Sequence, residues 1–127
     1  MSKHIFKDVA THLPAYCQPT ADILSQFGGK WSIAVFGAMT DGPRRFSEMA
    51  EGIPGISERM LTLTLKTMER DGMVSRRVIP GVPPRVDYAL TERARSLQGP
   101  MLAVHDWANV HAEGIARSRQ AFDAKDD

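Results

Sequence analysis

The sequence predicts a mainly α fold carrying one small β-hairpin, an α+β arrangement in a single domain. Three observations lead there. Apolar residues recur at helical spacing in short segments parted by glycine and proline. Two strand-like runs, 73–79 and 85–90, flank the stiff stretch Pro80-Gly81-Val82-Pro83-Pro84. The chain has 127 residues, 43% hydrophobic and 24% charged, which suits one packed core and argues against global disorder.

The elements follow in order. Residues 1–19, with Pro14 and Pro19, read as an arm. Thr20 is placed to cap a short helix that runs to Phe27 and stops at Gly28-Gly29. Residues 30–39 form a second helix, with Trp31, Val35 and Ala38 on one face and Ile33 and Phe36 widening it. Asp41-Gly42-Pro43 turns the chain into a third helix, 45–51, with Phe46, Met49 and Ala50 facing inward. Residues 57–71 give the clearest helix: Leu61, Leu65 and Met68 make an apolar stripe, Ser57 caps the start, and Gly72 ends it. Opposite the stripe lie Arg59, Leu63, Lys66 and Arg70. In the second strand Val86, Tyr88 and Leu90 alternate with Arg85, Asp87 and Ala89, which predicts one buried face. Thr91 opens a last helical region, restarted at Pro100 and fraying from Arg117 onward.

Charge narrows the function. The net formal charge is only +1, but residues 44–95 hold ten basic and seven acidic side chains, while residues 96–127 hold three and five. The positive field therefore lies mid-chain. No apolar run is long enough to span a membrane and no secretory leader is visible, so a cytoplasmic protein is expected. Cys17 is the only cysteine, which excludes an intramolecular disulfide and suits a reducing compartment. The histidines at 4, 12, 105 and 111 make no metal-ligand spacing, and no phosphate loop, nucleophile elbow or dinucleotide fingerprint occurs. No metal, no cofactor and no enzymatic activity are expected.

Short helices followed by a hairpin, with the last helix before it, 57–71, glued down on one side and basic on the other, is how a groove-reading element must be built. Arg59, Thr62, Lys66 and Arg70 supply donors for bases and phosphates, and Leu63 suits a thymine methyl. Arg76, Arg77 and Arg85 on the hairpin can reach phosphates or a minor groove.

Specific strings then carry a resemblance. Gly28-Gly29-Lys30-Trp31, Gly42-Pro43-Arg44-Arg45-Phe46-Ser47-Glu48-Met49, Gly55-Ile56-Ser57-Glu58-Arg59-Met60-Leu61-Thr62, the run from Leu65 to Arg76, and Val82-Pro83-Pro84-Arg85-Val86-Asp87-Tyr88-Ala89-Leu90-Thr91-Glu92 resemble the HxlR-type family of winged helix-turn-helix regulators. Leu97 and Trp107 fit its tail. The resemblance implies a winged helix-turn-helix domain with flanking N- and C-terminal dimerisation helices: 1–27 as arm and dimerisation helix, 28–95 as DNA-binding core, 96–127 as dimerisation helix and tail. It implies a homodimeric transcriptional regulator, with repression as the expected sign, bound to double-stranded DNA at an inverted-repeat operator about one helical turn between half-sites. Ser57, Arg59, Met60, Thr62, Leu63 and Lys66 would face the groove, Arg76, Arg77 and Arg85 would form the wing, and Arg44 and Arg45 would contact phosphate. The chain departs from the family at Leu63, where a polar residue is common, at Ala94, where glycine is common, and at Gln18, which separates Cys17 from Pro19.

Two effector routes are open. In the resembled family an N-terminal cysteine such as Cys17 senses oxidants or electrophiles in some members, which needs a thiolate favoured by positive charge or a helix N-terminus; a small packed thiol is the alternative. A small ligand could sit among Phe27, Trp31, His105 and Trp107, although such aromatics are more often core. The alternative to a DNA-binding regulator is a winged-helix module that uses the same face for protein partners.

Overall fold

The structure, a computed structural model, describes residues 18–125. The N-terminal arm and Cys17 therefore lie outside the described residues. The chain divides into two compact units, Met1–Thr91 and Glu92–Asp127.

In the first unit helix α1 (Gln18–Phe27) is followed by α2 (Lys30–Ala38), strand β1 (Arg44–Arg45), α3 (Phe46–Gly52), α4 (Glu58–Arg70), β2 (Val74–Ile79) and β3 (Arg85–Leu90). α1 begins two residues before the expected cap at Thr20, because Pro19 falls in the first turn, where its missing N–H costs nothing. The Gly28 N–H donates to the Leu24 carbonyl at 2.7 Å, and a Cβ at Gly28 would collide with that same carbonyl, so only glycine fits this position. α2 buries Val35 and Phe36 but leaves Ile33 44% exposed, so the face predicted to include Ile33 is narrower than its apolar residues.

α4 is the keystone of the unit. It packs on α2 and α3 and leads into β2. Leu61, Leu65 and Met68 are each at most 2% exposed, as the apolar stripe predicts. Ser57 Oγ accepts the Met60 N–H at 3.0 Å and caps the start. At the other end Gly72 takes φ +73°; its N–H donates to the Glu69 carbonyl and the Met73 N–H donates to the Met68 carbonyl. That pair of bonds is the Schellman closure, and the buried Met73 and Met68 supply its apolar contact. The Thr91 hydroxyl donates to the Gly72 carbonyl at 2.6 Å, tying the end of the hairpin to the end of α4.

The hairpin is part of a three-stranded antiparallel sheet in the order β1-β3-β2. The two-residue β1 pairs Arg44 with Tyr88 and Arg45 with Asp87. β2 pairs Val74 with Leu90, through Arg76 with Tyr88 and Arg77 with Asp87, to Ile79 with Arg85. The strict alternation expected for β3 is softened: Val86, Asp87, Tyr88 and Ala89 are all half-buried. As the central strand it has a neighbour on each edge, which the sequence of β3 alone does not reveal.

In the second unit α5 (Glu92–Arg95) precedes α6 (Gln98–Lys125), a helix of 28 residues. At 1.5 Å per residue α6 is about 42 Å long. Pro100 falls in its first turn. The expected fraying from Arg117 does not occur: the helix continues to Lys125 through a segment rich in Ala, Arg, Gln and Lys with no glycine or proline. No residue of α6 is buried, and Leu102, Val104, Trp107, Val110 and Phe122 are each more than half exposed. No described helix is long and apolar enough to cross a membrane.

Candidate nucleic-acid interface

The site is assembled from two pieces of the first unit. The first is the outer face of α4. With Leu61, Leu65 and Met68 turned inward, the helical period forces Arg59, Thr62, Leu63, Lys66 and Arg70 outward, and all five are exposed. Ser57 is exposed at the N-terminus, while Met60 is only half-exposed, at the margin of the face. Two threonines turn back on the helix: Thr64 Oγ1 donates to the Met60 carbonyl at 2.7 Å and Thr67 Oγ1 to the Leu63 carbonyl at 3.0 Å. Their hydroxyls are thereby engaged, and the donors left outward belong to Arg59, Thr62, Lys66 and Arg70. Leu63 is 56% exposed in their midst, an apolar side chain with nothing to cover it within the unit.

The second piece is the sheet. Directly opposed residues in antiparallel strands share a face, and successive residues alternate. Arg45, Asp87 and Arg77 therefore form a row on one face, with Arg85 two residues along from Asp87 on the same side. Arg44, Tyr88 and Arg76 form the row on the other face. Neighbouring strands lie about 4.8 Å apart, so each row spans about 10 Å between its outer Cα atoms. Arg76 and Arg77, expected to act together, thus point to opposite faces. β1 brings Arg44 and Arg45 into the sheet of the wing, an association their position before a helix did not reveal. Arg85 Nε lies 3.2 Å from Asp87 Oδ1. An open concavity of about 640 Å³ between the sheet and the start of α3 is lined by Arg45, Ser47, Ile79, Pro83, Pro84 and Arg85 among others.

The four aromatic and imidazole candidates fall in different units. Phe27 is buried and meets Phe36 edge to face at 5.9 Å, and Trp31 lies under Lys30 Nζ at 4.6 Å. In α6, Trp107 stacks on His111 at 4.2 Å, and His105 Nε2 is 3.0 Å from Asn109 Nδ2. Sequence reasoning missed β1, Asp87 and His111. A two-residue strand has no period to detect, an acid in an alternating strand reads as a solvent-facing residue, and the partner of Trp107 at i+4 was legible from helical spacing.

A helix-turn-helix whose last helix is basic outward, followed by a basic two-stranded wing, defines a winged-helix DNA-binding protein. The comparisons with known proteins agree. Residues 26–115 match the family described as HxlR-like helix-turn-helix. The HTH-type transcriptional regulator YdeP of Bacillus subtilis (strain 168), itself uncharacterized, is 39% identical over 108 residues, covering 85% of this chain and 84% of its own length. The HTH-type regulator YodB of the same organism is 36% identical over 97 residues, covering 76% and 87%. Among solved structures, the redox regulator HypR in its reduced form superposes with a TM-score of 0.73 at 39% identity, covering 79% of this chain and 99% of that one. The reduced form of YodB gives 0.68 at 36% identity, covering 73% and 91%. This chain belongs to the HxlR-like helix-turn-helix family of DNA-binding transcription regulators.

Proposed function

We propose that the protein is a homodimeric repressor that binds an inverted-repeat operator, with α4 of each subunit in a major groove and the β2–β3 wing on the flanking backbone. The observation that carries the reading is the two-sided build of α4: Leu61, Leu65 and Met68 fix it to the core, while Arg59, Thr62, Leu63 and Lys66 stand free on one outward face. Arg85, Arg77 and Arg45 on one sheet face, and Arg44 and Arg76 on the other, serve phosphates. Homodimerisation is supported by apolar surface left uncovered in one chain, namely Leu102, Val104, Trp107, Val110 and Phe122 on α6 and Ile23 and Leu24 on α1. For the input we propose oxidation at Cys17. Two thiols of a dimer give up two protons and two electrons to an oxidant and form an intersubunit disulfide, which shifts the spacing of the two reading heads. Support comes from sequence similarity to regulators described in reduced and oxidised forms.

The test is binding of purified protein to fragments from its own genomic neighbourhood, at two salt concentrations, with and without a mild thiol oxidant. Tight binding to one upstream fragment is expected, with log affinity falling by about 0.9 per neutralised phosphate per log unit of salt. Oxidant is expected to release wild-type protein and to leave Cys17→Ser bound. Release of both alike would remove Cys17 from the input. A reporter behind the bound promoter should rise when the protein is deleted; a fall would make it an activator.

A further inference from the structure

Asp87 stands where a DNA-binding surface should least tolerate it. It occupies the middle of the central strand, directly opposite Arg45 on one side and Arg77 on the other, with Arg85 two residues away on the same face. A carboxylate there subtracts from the positive field that three guanidiniums create. Its Oδ1 is also shielded from solvent and accepts no hydrogen bond of good geometry among the described residues, although Arg85 Nε lies 3.2 Å away, within ion-pair distance. A shielded carboxylate oxygen without full satisfaction is costly. Neither phosphate attraction nor core packing accounts for an acid at this point.

We propose that Asp87 is the positioning residue of the wing: it holds Arg85 by the inner edge of its guanidinium so that the outer edge is presented to a DNA phosphate. The inference rests on the DNA-binding reading. A guanidinium is a planar fork with five N–H donors. An ion pair along the Nε edge takes up that edge, including the one Nη hydrogen parallel to Nε–H, and leaves the end-on pair of Nη hydrogens open to a phosphate. Arg85 is 43% exposed and Asp87 22% exposed, so the pair has a covered inner side and an open outer side. Fixing the long arginine side chain before DNA arrives removes part of the ordering cost from the binding step. Lysine cannot replace it, since an ammonium is a point charge without two edges. The same carboxylate has lone pairs to spare for Arg77 and Arg45, whose backbones flank it, so one acid serves as the hub of the basic face.

The experiment turns on a sign. Asp87→Asn keeps the shape and removes a negative charge close to the DNA. Bulk electrostatics alone requires it to bind duplex more tightly. Positioning requires the opposite: roughly three- to tenfold weaker binding, with a salt slope lower by about one phosphate. Affinity is measured on one operator duplex across a salt series for wild type, Asp87→Asn, Arg85→Ala, Arg85→Lys and the double variant Asp87→Asn/Arg85→Ala, with the Tm of each recorded. Expected are a double variant no weaker than Arg85→Ala, and Arg85→Lys nearly as weak as Arg85→Ala despite its retained charge. Tighter or unchanged binding by Asp87→Asn, additive losses in the double variant, or full binding by Arg85→Lys would each overturn the inference. Should Asp87→Asn fail to fold, Asp87→Glu takes its place: it keeps the charge and moves the carboxylate, so weaker binding supports positioning and unchanged binding overturns it. A wild-type chain that binds no duplex is a different result: it sinks the DNA-binding reading itself.

Discussion

Each outward side chain of α4 has a distinct physical task, and the tasks predict distinct losses. Arg59 and Lys66 carry donors on the exposed face of α4, which the proposed function places in a major groove. If Arg59 reads a base edge, Arg59→Ala costs about 1–3 kcal/mol on the cognate site and relaxes discrimination at one base pair, measured by competition with single-substitution duplexes. A phosphate contact would instead lower affinity for all duplexes alike. Leu63 has no polar group and is 56% exposed, which suits contact with a thymine methyl in the proposed complex. Leu63→Asn is expected to change which base is preferred while leaving the salt slope unchanged, because no phosphate contact is lost. Ser57→Ala removes a cap bond of 3.0 Å and is expected to cost about 1 kcal/mol of stability, read from chemical denaturation. The outward positions of Arg59, Thr62, Leu63 and Lys66 were legible in the sequence because the stripe Leu61, Leu65, Met68 fixes the opposite side of the wheel. Asp87 was not, because its importance comes from neighbours on two other strands that only the register reveals.

Elements with both a period and punctuation were read well. α4 has an apolar stripe, a serine cap and a glycine stop; Ser57 caps it as expected, and the structure differs only in making Asp71 the C-cap rather than the last helical residue. Gly72 adopts φ +73° to make the Schellman closure, so Gly72→Ala is expected to destabilise the protein by about 1–2 kcal/mol, seen as a lower Tm. Leu65, 2% exposed at the centre of the stripe, marks the junction of reading helix and core; Leu65→Ala should cost about 2–5 kcal/mol. Elements with neither signal were missed or misjudged. β1 is two residues long and its membership in the sheet depends on a partner more than 40 residues away. β3 shows half-burial on both faces rather than clean alternation because it lies between β1 and β2. The C-terminal helix was expected to fray on account of its polarity, yet polarity does not end a helix: no glycine or proline follows Gly114, and the segment to Lys125 keeps good helix propensity.

At the scale of the whole molecule the proposed homodimer is the claim to test. A 28-residue helix with none of its residues buried and with Trp107, Val110 and Phe122 more than half exposed calls for a second apolar surface. Light scattering is expected to give twice the chain mass, and Trp107→Glu is expected to shift the protein toward monomer. Specific DNA affinity should then fall much further than any single phosphate contact accounts for, because the second half-site no longer binds intramolecularly. The sequence carried the fold class and the family because turn chemistry and apolar period repeat along the whole first unit; it could not carry the operator, whose base pairs are read by side chains common to many DNA-binding proteins. A footprint of the protein on its own upstream DNA, run across a salt series, is the most direct measurement. A homodimer on an inverted repeat requires two protected major-groove patches related by a two-fold axis, about 10 base pairs apart, that fade steeply with salt. Uniform weak protection along every fragment, or a single unpaired patch, would contradict it.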